Sequence, residues 1–407
     1  MYKKMRIAFF MENIQVGGLD TFVINLLNNW KKDELTLICN PTHPGLDLLK
    51  GKLNKDVKLL EHNIPLTWDL KYHYPDLPTA FYGLLKFLYF IVDIPIQVYL
   101  LKRFFMKYEF DKLMVINGGY PGGDSCLSAT IAWGKLYPNN KAWHNFHNLA
   151  LSYADYSGID KLKYFRSILI DKVLRKYVKG FISVSRNSIN TLNKRNSFQN
   201  SKKTYIYNGI SLNENLDNEI SIKEKYRLDK KSKVIVMLGS YEKRKGQDFL
   251  IKVFLEVNKR YKNVYLFMFG DGNKNYIEYL QKLKEENENI FIEDYIDVGH
   301  ILKDVNILAI PSQSFESFGY TAVEAMVMKI PVVATNIGGL PEVVADGVSG
   351  YVIEHDDYED FTEKFLFLLN HEDICVKFGV NGYNRYNKKF KANLMVKEYR
   401  KLISKWT

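Results

Sequence analysis

The chain has 407 residues, 46% of them hydrophobic and 25% charged, which exceeds one ordinary domain, suits two, and excludes a disordered or collagen-like chain. Its three widely spaced cysteines, Cys39, Cys126 and Cys375, argue for a reducing compartment and against a disulfide framework or a zinc site. A formal net charge of +11 admits nucleic acid, an anionic membrane surface or an anionic small substrate as partner, beside the plain reading of a solvated basic surface.

The apolar run 5–11, "MRIAFFM", has strand length. Glu12 follows it and no small-residue cleavage site does, so it reads as a first buried strand and not as a signal peptide. Residues 19–30 have helical spacing, and 34–39, 112–117, 141–147 and 180–185 are further strand-like runs. Strands alternating with helices predict a parallel sheet with helices on its faces. Within this half, 81–108 ("FYGLLKFLYFIVDIPIQVYLLKRFFMKY") is apolar and aromatic. Lys86, Asp93 and Lys102–Arg103 keep any uncharged run in it below the roughly 18 residues of a spanning helix, and Pro95 is expected to break or kink it. Two readings stay open for it: core helices of the first domain, or a surface helix in a membrane interface with basic residues toward lipid phosphates.

The polar stretch 186–203 is rich in Asn, Ser and Lys and is placed at a hinge that reaches 207–211. The alternation then restarts, with buried strands expected at 233–239, 263–270, 289–294, 305–311, 330–335 and 350–354. The predicted organisation is an α/β chain with a first domain at 1–200, a second at 201–385, and a segment 386–407 whose basic amphipathic helix packs back toward the first domain.

Two loops of the second half carry chemistry. In "PSQSFESFGYTAVEAMVMKIPVVATNIGGLPEVV" (311–344), Glu316 lies in a polar loop after a strand, and Glu324 lies within a helical pattern. Loops at the carboxyl ends of parallel strands are where α/β folds bind ligands. The first N–H groups of that helix, from about Ser317 to Tyr320, can hold an anion, and Gly319 permits close approach. Carboxylates there suit the hydroxyls of a sugar or a ribose; the plainer reading makes Glu316 a helix cap and Glu324 a surface residue. In "MLGSYEKRKGQDFLI" (237–251), Lys243, Arg244 and Lys245 precede Gly246 after another strand. Such cations can neutralise charge growing on a leaving phosphate, although most charged loops are merely solvated.

Three weaker signals follow. Gly17 and Gly18 precede a helix after the first strand, as a phosphate-approach loop or a simple turn. His144 and His147 sit three apart in "AWHNFHNL" without a third metal ligand nearby, so one of them is expected to reach a substrate hydroxyl, or both are structural. "FGDGN" (269–273) reads as a tight turn, since it lacks the spacing of a dinucleotide fingerprint.

With "YNGIS", "LGSYEKRKGQDFLI", "FMFGDGN", "IPSQSFESFGYTAVEAMVMKIPVVAT" and "GGLPEVVADGVSGYVI" in hand, the sequence resembles the retaining glycosyltransferases of family 4. The resemblance covers nearly the whole chain and is densest from Tyr207 to Glu354. It implies the GT-B fold, two Rossmann-like doubly wound parallel-sheet domains facing a central cleft. It implies a nucleotide-sugar donor, UDP- or GDP-linked, no prosthetic group and no metal requirement. Glu316 would contact donor sugar hydroxyls, Glu324 the ribose, and Lys245 the diphosphate. Ser317, Phe318 and Gly319 would offer backbone N–H groups, Gly17 and Gly18 would approach the donor, and His147 or His144 would touch the transferred sugar. The family commonly has an arginine where this chain has Ser240; Arg244 is the candidate to replace it at the diphosphate. The expected acceptor is a glycan or a polyprenyl-diphosphate-linked glycan for a bacterial surface polysaccharide or lipopolysaccharide. The expected location is the cytoplasm, with peripheral contact on an anionic membrane and no nucleic acid partner. A sugar-nucleotide epimerase or phosphorylase, and a non-enzymatic basic module, are the alternatives; fold alone does not separate the enzymes.

Overall fold

Apolar runs without a two-residue alternation form strands buried on both faces, as strands covered by helices must be. In β1 (Arg6–Glu12), Ile7 to Met11 are wholly buried. A computed structural model describes residues 4–153, 161–211, 221–295 and 304–404. The chain divides into two units, Met1–Gly209 with Ala392–Thr407, and Ile210–Lys391.

The first unit holds β1, β2 (Glu34–Cys39), β3 (Lys58–Glu61), β4 (Lys112–Asn117), β5 (Trp143–Phe146), β6 (Gly180–Ser183) and β7 (Lys203–Tyr205). They form one parallel sheet in the order β3-β2-β1-β4-β5-β6-β7. The second holds β8 (Lys233–Leu238), β9 (Val264–Gly270), β10 (Ile290–Asp294), β11 (Ile307–Ile310), β12 (Val332–Thr335) and β13 (Gly350–Ile353), in the order β10-β9-β8-β11-β12-β13, again all parallel. Each is a doubly wound Rossmann-like sheet. The strand order reverses between β1 and β4 in one and between β8 and β11 in the other, which is where such sheets open a crevice at their carboxyl ends.

The polar stretch 186–203 is not a linker. It forms the helix Arg186–Thr191, capped by Ser185 accepting from the Ser188 N–H, and then two short turns that bury Leu192 and Phe198. Its anchor is Arg195, fully buried, which donates to Asp171 Oδ2 (2.5 Å), Ser167 Oγ (2.9 Å) and the Leu151 carbonyl (2.7 Å). Polar composition misled here because two polar residues, Ser188 and Arg195, are buried and paired and anchor the stretch, while most of the others face solvent.

The segment containing Pro95 is one continuous helix, Thr79–Phe105, and not two. Its inner face, including Asp93, Gln97, Val98, Leu101 and Phe105, is buried against a core that includes the helix Asp124–Leu136, and this packing carries the helix past the proline. Its outer face, with Leu84, Phe87, Leu88 and Ile91, is exposed. The core reading therefore describes the inner face only. The final helix, Ala392–Ser404, belongs to the first unit: Asn145 Nδ2 donates to Tyr399 Oη (2.8 Å) and Arg400 Nε to Asp33 Oδ2 (2.9 Å).

Candidate functional site

Because β8 and β11 are neighbours at the reversal point, the loops that follow them lie side by side. The loop after β8 makes a short turn over Lys243–Lys245 and ends at Gly246, whose φ of 79° is left-handed. A Cβ at Gly246 would overlap the Pro311 carbonyl, so the two loops meet backbone to backbone there. The Gln313 N–H donates to the Arg244 carbonyl (2.8 Å), which ties them again.

On this frame Lys245 Nζ donates to Glu316 Oε2 at 2.6 Å, and both side chains are mostly buried. The cationic loop and the first glutamate thus share one place. The glutamate loop rests on the Gly338–Gly339 turn. The Gly339 N–H donates to the Glu316 carbonyl (2.7 Å), and a Cβ at Gly338 (φ 61°) would overlap that same carbonyl. Gly319, at φ 93°, precedes the helix Tyr320–Val327, and a side chain there would meet Leu340. Phe318 is buried against Tyr320 and Phe390, so Ser317–Gly319 offer backbone and not an aromatic ring. Glu324 is half-buried within the same helix.

Arg244 is placed otherwise than the sequence suggests. Its Nε donates to Glu242 Oε2 (2.6 Å), its NH2 donates to Glu242 Oε1 (3.3 Å), and it lies 4.8 Å from the centre of the Phe315 ring. Ser240 Oγ donates to the same carboxylate at 2.6 Å. Burial would raise the Glu242 carboxyl, but the Ser240 and Arg244 hydrogen bonds outweigh it and hold the group below its ordinary value. Arg244 is therefore engaged with a carboxylate that sequence reasoning missed; adjacent charges within one loop give no signal of which will pair.

In the first unit, Gly17 and Gly18 begin the helix Gly18–Asn28 after β1. Asp20 Oδ2 accepts the Gly17 N–H (2.9 Å) and Asn13 Nδ2 (3.2 Å), and its Oδ1 lies 2.7 Å from His43 Nε2, both side chains fully buried. A Cβ at Gly17 would meet nothing within 4 Å. Glu12, at the end of β1, is buried and accepts from Ser125 N (3.0 Å), Ser125 Oγ (2.6 Å) and Trp68 Nε1 (2.9 Å); burial raises its carboxyl despite these bonds. Neither the Asp20–His43 pair nor Glu12 stood out in the sequence.

The two histidines separate. His144 is wholly buried in β5, 3.0 Å from Thr130 Oγ1 and edge-on to Tyr120 and Phe181. Its expected role at a substrate hydroxyl is corrected: the ring is sealed in the core. His147, just past β5, is half-buried and packs 4.0 Å from Phe22 of the Gly17–Gly18 helix. Its Nε2 has no hydrogen-bond partner among the described residues. Burial lowers both imidazoles to about 3, so both are neutral. The strand period could have separated them, since residues three apart on a strand face opposite sides. Among the described residues no three His, Cys, Asp or Glu side chains gather as a metal site.

Residues 218–385 match the family model of the glycosyl transferases group 1. The chain is similar to an uncharacterized glycosyltransferase of Methanocaldococcus jannaschii, 31% identical over 41% of this chain and 46% of that one. It is also similar to the capsular polysaccharide biosynthesis glycosyltransferase CapM of Staphylococcus aureus, 28% identical over 58% of this chain and 64% of that one. It thus spans about half to two thirds of the length of these curated relatives. Anabaena HepE in complex with UDP has the same fold, with a TM-score of 0.72 at 16% identity over 98% of this chain and all of that one.

Proposed function

We propose that the chain, whose residues 218–385 match the family model of the glycosyl transferases group 1, moves a sugar from UDP or GDP to an acceptor glycan with retention of configuration. The observation that carries this reading is the Lys245–Glu316 contact of 2.6 Å at the β8/β11 crevice. A cation and a carboxylate side by side suit a ligand with a diphosphate next to a polyol. As the bond to the diphosphate breaks, negative charge grows on the leaving phosphate. Lys245 and the start of the helix Tyr320–Val327 stabilise it. Glu316 is then free to accept sugar hydroxyls, and Glu324 is assigned to the ribose. Backbone N–H groups of Ser317, Phe318 and Gly319 hold the anionic oxygens. Ser240 lies beside the diphosphate, and Arg244 joins it only by leaving Glu242. The first unit's share of donor contact is assigned to Gly17, Gly18 and His147.

The acceptor in this reading is a lipid-linked glycan, of the polyprenyl-diphosphate type, met at the inner face of the cytoplasmic membrane during surface-polysaccharide assembly. The capsular role in the name of the Staphylococcus relative and the net charge of +11 support it. Since Lys245 supplies the charge a divalent cation would supply, transfer is expected to persist in a chelator. The test is transfer from labelled UDP- and GDP-sugars to such an acceptor by the wild type, Lys245→Ala and Glu316→Ala. Undiminished transfer by both variants would overturn the assignment.

A further inference from the structure

Two helices of the first unit leave apolar rows uncovered beside each other. On Thr79–Phe105 the row is Leu84, Phe87, Leu88, Ile91 and Val92, all exposed. On Lys161–Tyr177 it is Leu162, Phe165, Leu169 and Val173, with Phe165 and Leu169 61% and 63% exposed. The second spacing is that of a single helical stripe. A groove of about 350 Å³ lies between the helices, lined among others by Ile91, Pro95, Phe165 and Leu169. Beneath it Arg166 donates to Asp93 (2.6 Å) and Asp124 (3.1 Å) and lies 4.2 Å from the centre of the Phe90 ring. That clamp fixes the helices to each other and to Asp124–Leu136, so the rows form one surface.

The exposed charges carried by these two helices have one sign. The carboxylates of these two helices, Asp93 and Asp171, are buried. Lys86, Arg103, Lys161, Lys172, Arg175 and Lys176 are exposed. By helical spacing Lys161, Lys172 and Lys176 flank the second row on the side away from the groove. Soluble proteins rarely leave contiguous apolar surface uncovered without a partner for it. An apolar stripe flanked by lysines is the pattern of a helix lying in the headgroup region of an anionic bilayer. Thr79–Phe105 is also long and apolar enough to cross a bilayer. Its inner face, however, is packed in the core through Asp93 and Gln97, and lying flat keeps those contacts.

We propose that the face shared by Thr79–Phe105 and Lys161–Tyr177 docks on an anionic lipid bilayer, with both apolar rows among the headgroups. The proposal deepens the reading of a membrane-borne acceptor and rests on it for its biological sense, but its test needs no transfer activity. The full chain is sedimented with vesicles of phosphatidylcholine, or of an equal mixture with phosphatidylglycerol, at low and high salt. It is expected to pellet with the mixed vesicles at low salt and to stay in solution with phosphatidylcholine alone. Each lost basic charge weakens such binding about fivefold, so Lys172→Glu with Lys176→Glu should weaken it about 25-fold or more. Phe165→Asp with Leu169→Asp should abolish it. These positions are exposed, so the stabilisation of the chain by UDP or GDP should be unchanged, which checks folding. If no nucleotide stabilises even the wild type while vesicle binding follows this pattern, the donor reading fails and the docking face stands. A wild type that ignores mixed vesicles overturns the proposal, as do variants that bind like it. So does a dimer abolished by Phe165→Asp with Leu169→Asp in a chain without vesicle affinity, which would give the face to a second copy.

Discussion

Replacing Glu316 with glutamine should tighten the binding of a bare nucleoside diphosphate while crippling transfer from the nucleotide sugar. The ammonium of Lys245 is already held by Glu316 Oε2 at 2.6 Å, with the two side chains 19% and 15% exposed. On the proposed reading, a nucleoside diphosphate has to draw Lys245 from that carboxylate, whereas a nucleotide sugar gives Glu316 hydroxyls in exchange. Glutamine keeps the shape and removes the charge. At an effective dielectric of about 20, charges this close attract by about 4 kcal/mol or more before desolvation. The net value of a charge-assisted hydrogen bond at a partly open site is smaller, about 1–2 kcal/mol. Releasing Lys245 from that competition should therefore tighten UDP or GDP by about five- to thirtyfold. The lost bonds to sugar hydroxyls, at about 1.5–3 kcal/mol, should lower transfer by about ten- to 150-fold. Lys245→Met should weaken every diphosphate ligand and leave a nucleoside unaffected. Titration calorimetry with nucleoside, nucleoside diphosphate and nucleotide sugar reads the two binding effects, and transfer from a labelled nucleotide sugar reads the third. Equal dissociation constants for the wild type, Glu316→Gln and Lys245→Met with each ligand would refute the shared-site reasoning.

Glycines in the two units should behave oppositely. Gly338→Ala meets the Glu316 carbonyl at a left-handed φ and should cost about 1–3 kcal/mol of stability along with transfer. Gly17→Ala meets nothing within 4 Å, so its thermal midpoint should not move while donor affinity falls, as thermal unfolding and calorimetry would record. His144→Ala should cost about 2 kcal/mol of stability, as for emptying a buried ring site, with transfer per folded molecule intact; His147→Ala should show the reverse balance. Burial first, and then the charge of Asp124, hold the Asp93 carboxyl at about 7 against the pull of Arg166. Between its ordinary value of 3.8 and about 7, the folded chain carries a proton that the unfolded chain has released, so this group's contribution to stability falls as pH rises. Urea unfolding at about pH 5 and about pH 8 should show a smaller difference for Asp93→Asn than for the wild type.

The strands of the second sheet were legible because burial on both faces leaves runs such as "VIVML" and "ILAI" with nothing polar to interrupt them. β3, "KLLE", and β7, "KTY", were not, since each is a short strand at a sheet edge where neither pattern nor length marks it. Burial also hid Arg195 and its stretch, because an arginine among Asn and Ser looks solvated until Asp171 is found across 24 residues. The meeting of Lys245 and Glu316 followed from two loops at the carboxyl ends of strands in one sheet, a relation that a strand pattern carries. The engagement of Arg244 by Glu242 did not follow, because it depends on the path of a short turn.

That contrast has a mechanical counterpart in the site. The loops that present Lys245 and Glu316 are positioned by backbone contacts: the Gln313 N–H on the Arg244 carbonyl, the Gly339 N–H on the Glu316 carbonyl, and the close approach of Gly246 to Pro311. The Lys245–Glu316 pair adds one side-chain link between the same loops. Exchanging that pair should change what is bound while the backbone contacts keep the loops on their path, whereas a methyl group at Gly246 or Gly338 moves the loops themselves. The spacing of two glutamates in a sequence is informative only because glycines elsewhere, at 246 and at 338–339, let their loop settle against its neighbours. Without those glycines the same carboxylates would be ordinary surface charges.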